Sequence, residues 1–176
     1  MTPSDGYRRA PRGGPAIRSD IVDVYVFRAP DDDPTAVEFL QVLRNGPPLD
    51  HTWQPVMGHV EEGETAVHAA VREAAEEIGL RAGEPHWLAM WALEQVHPYY
   101  LADLDCIVMS PRFAVRVAPG FKPALNDEHA DHRWVPIGGV PTHFMWPGQK
   151  AACREIIEEL LRPGSLAERR LRIETP

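Results

Sequence analysis

Gly58 to Leu80 reads GHVEEGETAVHAAVREAAEEIGL, and this stretch decides how the rest of the chain is read. Treated as a helix from Thr65 to Ile78, with about 100° of rotation per residue, it sorts into two faces. Val67, Val71, Ala74 and Ile78 form an apolar stripe, while Glu73, Glu76 and Glu77 gather within an arc of about 100°. Like charges at i,i+4 repel, so Glu73 and Glu77 are costly neighbours on a bare helix. A divalent cation turns that repulsion into attraction. Ligation by several carboxylate oxygens, with no Cys and no required His, suits a hard ion such as Mg2+ or Mn2+. Arg72 lies just outside the acidic arc, placed to hold a neighbouring carboxylate in one rotamer. A merely solvated acidic face is the bland alternative, but it leaves the glycines at both ends and the isolated Glu64 unexplained.

The spacing resembles the signature of the Nudix hydrolases. Gly58, Glu64, Arg72-Glu73, Glu76-Glu77 and Gly79 supply seven fixed identities, and Ala74 and Leu80 supply the aliphatic positions, over twenty-three residues. The resemblance implies an α/β fold, an α/β/α sandwich around a mixed β-sheet. It also implies a loop-helix-loop that binds divalent metal and the pyrophosphate of a nucleotide substrate. On that basis Glu73, Glu76, Glu77, Gly58 and one further carboxylate are the expected metal ligands. Arg72, Glu76 and Glu77 carry catalysis, and Glu64 supports the loop or the metal's surroundings.

Composition sets limits. A chain of 176 residues is long enough for one domain with a sizeable core. Its 44% hydrophobic and 25% charged residues are ordinary for a soluble globular protein. No apolar run approaches the roughly eighteen residues of a membrane span. The N-terminus carries arginines without an apolar segment, so no secretory signal is expected. Cys106 and Cys153, in no metal-binding spacing, indicate neither a disulfide framework nor a zinc site, and a cytoplasmic setting fits. A net charge of -8 argues against a broad nucleic-acid surface, though metal and a few arginines still allow a small anionic nucleotide. A homodimer stays open.

Along the chain, residues 1–18 read as a flexible Pro/Gly/Arg-rich arm, 19–162 as the Nudix domain and 163–176 as a tail. Strands are expected at Ile21–Arg28, Ala36–Arg44, Thr52–Met57, His86–Val96, Asp103–Ser110, Phe113–Val117 and near Arg133-Trp134-Val135. Turns are expected at Asp31-Asp32-Asp33-Pro34 and Asn45-Gly46-Pro47-Pro48. A last amphipathic helix runs from Gln149 to Leu161, ended by Pro163-Gly164.

Outside the signature, Glu128 stands in a segment (EHADHRWV) that looks like the region supplying an added ligand or general base in several Nudix enzymes. Asp127 and Asp131 are fallback candidates, and a helix glutamate remains an alternative base. The lead-in Trp53-Gln54 resembles the bacterial dATP and dihydroneopterin triphosphate pyrophosphohydrolases, and by that likeness Arg18 and Arg44 would touch phosphates. Tyr99 and Tyr100, following His97-Pro98, are expected in or near a loop as candidates for stacking on a base. The histidines inside the signature, His59 and His68, occupy positions the family leaves free. The expected activity is cleavage of a dATP-like nucleoside or pterin triphosphate to a monophosphate and pyrophosphate. Dinucleoside polyphosphate or ADP-ribose hydrolysis is the alternative substrate class, and a silent nucleotide-binding domain the alternative from another class.

Overall fold

The structure is a computed structural model describing residues 13–174 apart from 31, 32, 34 and 48. Most of the arm and most of the Asp31–Pro34 turn therefore lie outside the described residues. Strand β1 (Ala16–Arg18) is followed by β2 (Ile21–Arg28), β3 (Glu38–Arg44), β4 (Trp53–Gln54) and β5 (Val56–His59). Helix α1 (Ala66–Ile78) leads to β6 (Trp87–Ala92), β7 (Tyr99–Leu101), β8 (Cys106–Val108), β9 (Arg112–Val117) and β10 (His129–Pro136). Short helix α2 (Val140–His143), α3 (Pro147–Glu155), α4 (Leu166–Leu171) and β11 (Arg172–Ile173) complete the chain.

The main sheet runs β10-β3-β2-β9-β6-β11, with β4 paired to β3 and β5 to β2. It is mixed: β2 lies parallel to β9 and antiparallel to β3 and β5. The sequence IVDVYVF explains the central place of β2, because both of its faces are apolar enough to bury. Val22, Val24 and Val26 join Val56, Ala70, Ala74 and Ile78 in the core beneath α1. Tyr25 and Phe27 join Phe39, Trp91, Phe144 and Ile156 in the core beneath α3. One helical layer on each face makes the α/β/α sandwich.

Helix α1 is bounded by local chemistry. The Thr65 hydroxyl accepts the His68 N–H at 3.2 Å and caps the N-terminus. Gly79 takes φ 68°, and its N–H meets the carbonyls of Ala74 and Ala75, a left-handed stop that suits glycine. The buried side differs from the expected stripe. Val67 and Val71 are only partly buried, whereas Ala69, Ala70, Ala74 and Ile78 are buried, and so are Glu73 and Glu77. The small alanines let the helix lie close to β5 and β2, which draws two of the three glutamates under it.

Other boundaries moved as well. Ala16–Arg18, expected as part of the arm, pairs in parallel with β8, and with β7 they form a separate three-stranded sheet. A 3₁₀ turn at Ala102–Leu104 replaces the start of the strand expected from Asp103. Helix α3 begins two residues early because Pro147 suits the first helical turn, and Ile156–Leu160 continue it as a π-helical turn. The segment read as a tail forms α4 and then β11, which pairs with β6 at the edge of the main sheet.

Candidate functional site

Helix α1, the β5 strand before it and the loop between them enclose a cavity of about 280 Å3. Gly58, Arg72, Glu73, Glu77, Arg44 and Glu128 all line it, though they come from four separate parts of the chain. Arg72 is its organising cation. Its Nε and Nη2 donate to the two Glu64 oxygens at 3.1 and 3.0 Å, and Nη2 also donates to the His59 carbonyl at 2.7 Å. Nη1 donates to Glu73 Oε1 at 2.8 Å and to Glu76 Oε2 at 3.1 Å. One planar fork therefore joins the loop carboxylate to two helix carboxylates. Hydrogen bonds from Arg72 hold the Glu64 carboxyl below the usual carboxylate range.

Gly58 is required by close approach rather than by backbone twist. A Cβ there would stand 1.8 Å from Glu73 Cδ and 1.9 Å from its Oε1. The Glu73 carboxylate thus fills the space that a side chain would take. Burial pushes its pKa up to about 7 against the pull of Arg72, with the charges of Glu77 and Glu76 adding to the rise.

Glu77 sits deeper, 2% exposed, with its Oε2 2.9 Å from His129 Nε2. The contact is close without being an aligned hydrogen bond. Burial raises the Glu77 pKa, and the neighbouring imidazole opposes the rise. The sequence marked His129 only as the second member of the Glu128-His129 pair and gave it no role. The partners lie far apart in the chain.

At the mouth, Arg44 and Glu128 form a short ion pair, and the Asn45 N–H donates to the Glu128 carbonyl at 2.8 Å. Asp127 and Asp131 do not line the cavity. Arg18 is taken by Asp20 at 2.7 Å and lies beside His59 at 3.4 Å, outside the lining residues. Tyr99 and Tyr100 are also outside it. They pair with β8 in the small sheet instead of standing in a loop, and the Tyr100 hydroxyl donates to Asp105 at 2.8 Å. The His97-Pro98 break was misleading because β8 offers an edge for the next three residues to pair with.

Among the described residues, no three His, Cys, Asp or Glu side chains converge as a preformed metal cluster. Glu73 and Glu76 are turned to Arg72. The donor chemistry still fits a hard divalent cation. Two carboxylates are crowded into poorly solvated positions where burial disfavours their charge, and Gly58 leaves its strand bare beside them.

The NUDIX domain family model matches residues 17–155. The pig bis(5'-nucleosyl)-tetraphosphatase (asymmetrical) is 30% identical over 137 residues, covering 72% of this chain and 82% of that protein. Two further curated relatives are longer, and the matched segment spans 42% and 26% of their lengths. Among solved structures, the E. coli dihydroneopterin triphosphate pyrophosphohydrolase aligns with TM-score 0.64 at 19% identity, covering 78% of this chain and 93% of its own. A C. elegans Ap4A hydrolase binary complex aligns with TM-score 0.63 at 19% identity, covering 79% and 95%. At such identities these two likenesses concern the fold alone.

Proposed function

Because the chain belongs to the Nudix family and is a Nudix hydrolase, we propose that its cavity cleaves a phosphoanhydride of a nucleoside or pterin triphosphate, dATP-like, giving a monophosphate and pyrophosphate. The carrying observation is the cavity itself. Its charged part, Arg44, Glu61, Arg72, Glu73, Glu77 and Glu128, adjoins one small apolar part, Ile21, Leu49 and Met57. At about 280 Å3 it lies near the lower end of the range for small-molecule sites, which favours one ring system over two.

Glu73, Glu76, Glu77 and Glu128, with the Gly58 backbone, are the groups that would hold Mg2+ or Mn2+. When bound, such a cation supplies positive charge to the anhydride oxygens and lowers the pKa of water. The chain's own groups do the rest. Arg72 keeps Glu73 and Glu76 in one orientation and ties them to Glu64. Arg44, held by Glu128, presents its guanidinium to a phosphate. Glu128, an exposed lining carboxylate, takes the proton of the attacking water.

A second reading, hydrolysis of a dinucleoside tetraphosphate, is favoured by the name of the pig relative. Specificity constants for dATP, other nucleoside triphosphates, diadenosine tetraphosphate and ADP-ribose, with products identified in Mg2+ and in Mn2+, decide between the two. Preference for dATP-like triphosphates with release of pyrophosphate supports the first. A clear preference for the tetraphosphate replaces it with the second, and no hydrolysis of any of them overturns both.

A further inference from the structure

Gln54 lines the cavity beside α1, and the cleavage chemistry leaves it unused. It stands in β4 opposite Val42 of β3, and Val42 belongs to the core beneath α1, so Gln54 shares the α1 face of the sheet. Arg44, two residues along from Val42, lies on that face as well and lines the same cavity. The Gln54 side chain is buried, 6% exposed, yet neither its Oε1 nor its Nε2 makes a hydrogen bond among the described residues.

A buried amide without a protein partner is uncommon, because an unsatisfied buried acceptor destabilises the fold. On this cavity, Glu77 Oε2 and Gln54 Oε1 are the buried side-chain oxygens without an aligned hydrogen bond among the described residues. Glu77 is accounted for by His129 beside it and by the proposed cation. Gln54 is accounted for by neither. Its apolar company on the cavity wall is Leu49 from the β3–β4 turn, Ile21 from β2 and Met57 from β5. Apolar surface with one uncharged amide suits a flat heterocycle, while the anionic part of a substrate is already served by Arg44 and the metal.

We propose that Gln54 is the specificity-determining residue for the ring of the substrate, which it selects by an amino group beside an unprotonated ring nitrogen. A primary amide carries an acceptor and a donor side by side. Its Oε1 accepts from the amino group and its Nε2 donates to the neighbouring nitrogen, the paired contact that a glutamine makes with adenine. The 2-amino group of a pterin beside N1 offers the same pattern. Oε1 is turned away from the surface, so a rotation about the terminal side-chain torsion, which is broad and soft, brings both ends to the ring edge. This assignment rests on the cleavage reading above and names the substrate feature which that reading left open.

The test is the ratio of kcat/KM for dATP to kcat/KM for purine 2′-deoxyriboside triphosphate, which carries hydrogen in place of the 6-amino group, with the whole chain in Mg2+. In the wild type dATP should be preferred by about tenfold or more, because the analogue leaves the amide oxygen unpaired in a buried site. In Gln54→Met, which keeps the length of the side chain and removes both hydrogen-bonding ends, the two substrates should approach equality. A ratio does not depend on the fraction of folded enzyme, so partial misfolding cannot imitate this result. Gln54→Glu keeps the acceptor and loses the donor, and it should retain a preference for dATP while kcat/KM falls for both substrates. Equal kcat/KM for the two substrates in the wild type would overturn the assignment of Gln54 and leave the cleavage reading standing. So would a preference for dATP that persists undiminished in Gln54→Met, since another group then reads the ring. Failure of the wild type to hydrolyse either triphosphate overturns the cleavage reading, and this assignment with it.

Discussion

Glu77 Oε2 and His129 Nε2 stand 2.9 Å apart with side chains 3% and 0% exposed, so the C-terminal end of α1 is closed by an imidazole from β10. Removing one partner of a buried polar contact leaves the other unsatisfied, at a cost of about 1 to 3 kcal/mol. We therefore expect His129→Leu to lower stability in EDTA by about that amount, read from urea unfolding. Added Mg2+ should raise its melting temperature more than that of the wild type, because the cation then becomes the main counter-charge for Glu77. A loss under about 0.5 kcal/mol, the range of ordinary surface changes, would show that the contact contributes nothing.

Gly58→Ala tests the cradle from the other side. The new Cβ would overlap the Glu73 carboxylate, 1.8 Å from its carbon, so Glu73 must leave. We expect the Mg2+ concentration for half-maximal activity to rise by about 10- to 100-fold, the usual cost of disturbing the surroundings of a metal ligand. The urea midpoint should move little, since the displaced carboxylate moves toward water. An unchanged Mg2+ requirement would remove Glu73 from the ligand set.

The helical periodicity from Thr65 to Ile78 made α1 legible in the sequence, because periodicity is a local signal. The β-branched and aromatic run of β2 likewise announced a strand. What could not be read were encounters between distant segments. Glu77 with His129 and Asp23 with Arg112 both join residues from different elements of the sandwich. Neither pair leaves a pattern within any one window. Burial of Glu73 and Glu77 was also hidden, since a helical wheel shows which residues share a face but not how near a glycine strand lets that face approach. Strands of two or three residues, such as β1, β8 and β11, owe their existence to the edge they pair with and carry little signal of their own.

The Asp23–Arg112 pair has a consequence for pH. Its atoms are 3.3 Å apart, both side chains are buried, and Arg112 also donates to the Gly148 carbonyl at 2.9 Å. Burial pushes the Asp23 carboxyl up to about 6, with Arg112 pulling against it. A carboxyl whose folded pKa is raised contributes stability that is fully present below the unfolded value, near 4, and lost as pH rises through about 6. Between pH 4 and pH 7 this group should therefore lower wild-type stability by on the order of 3 kcal/mol. Urea unfolding of Asp23→Asn across that window should lack this component. If the wild type and the variant run parallel, Asp23 titrates as an ordinary carboxylate.

Besides its place in the proposed ligand set, which saturating Mg2+ controls for, Glu128 stands where two roles meet, since it lines the cavity and also holds Arg44. If it accepts the proton of the attacking water, Glu128→Gln keeps the shape of the side chain and removes its basicity. The kcat should then fall by about 100-fold or more, within the range assigned to general bases, and the acid limb of the pH profile should change. KM for dATP should change little, because an amide oxygen still accepts from Arg44 in the place of the carboxylate. If Glu128 serves only as the tether of Arg44, the pattern reverses, with KM rising while kcat and its pH profile stay as they were. Arg44→Ala supplies the control for that outcome, because it removes the phosphate contact directly and should raise KM without altering the acid limb. Steady-state kinetics on both variants from pH 5 to pH 9 separate the two roles.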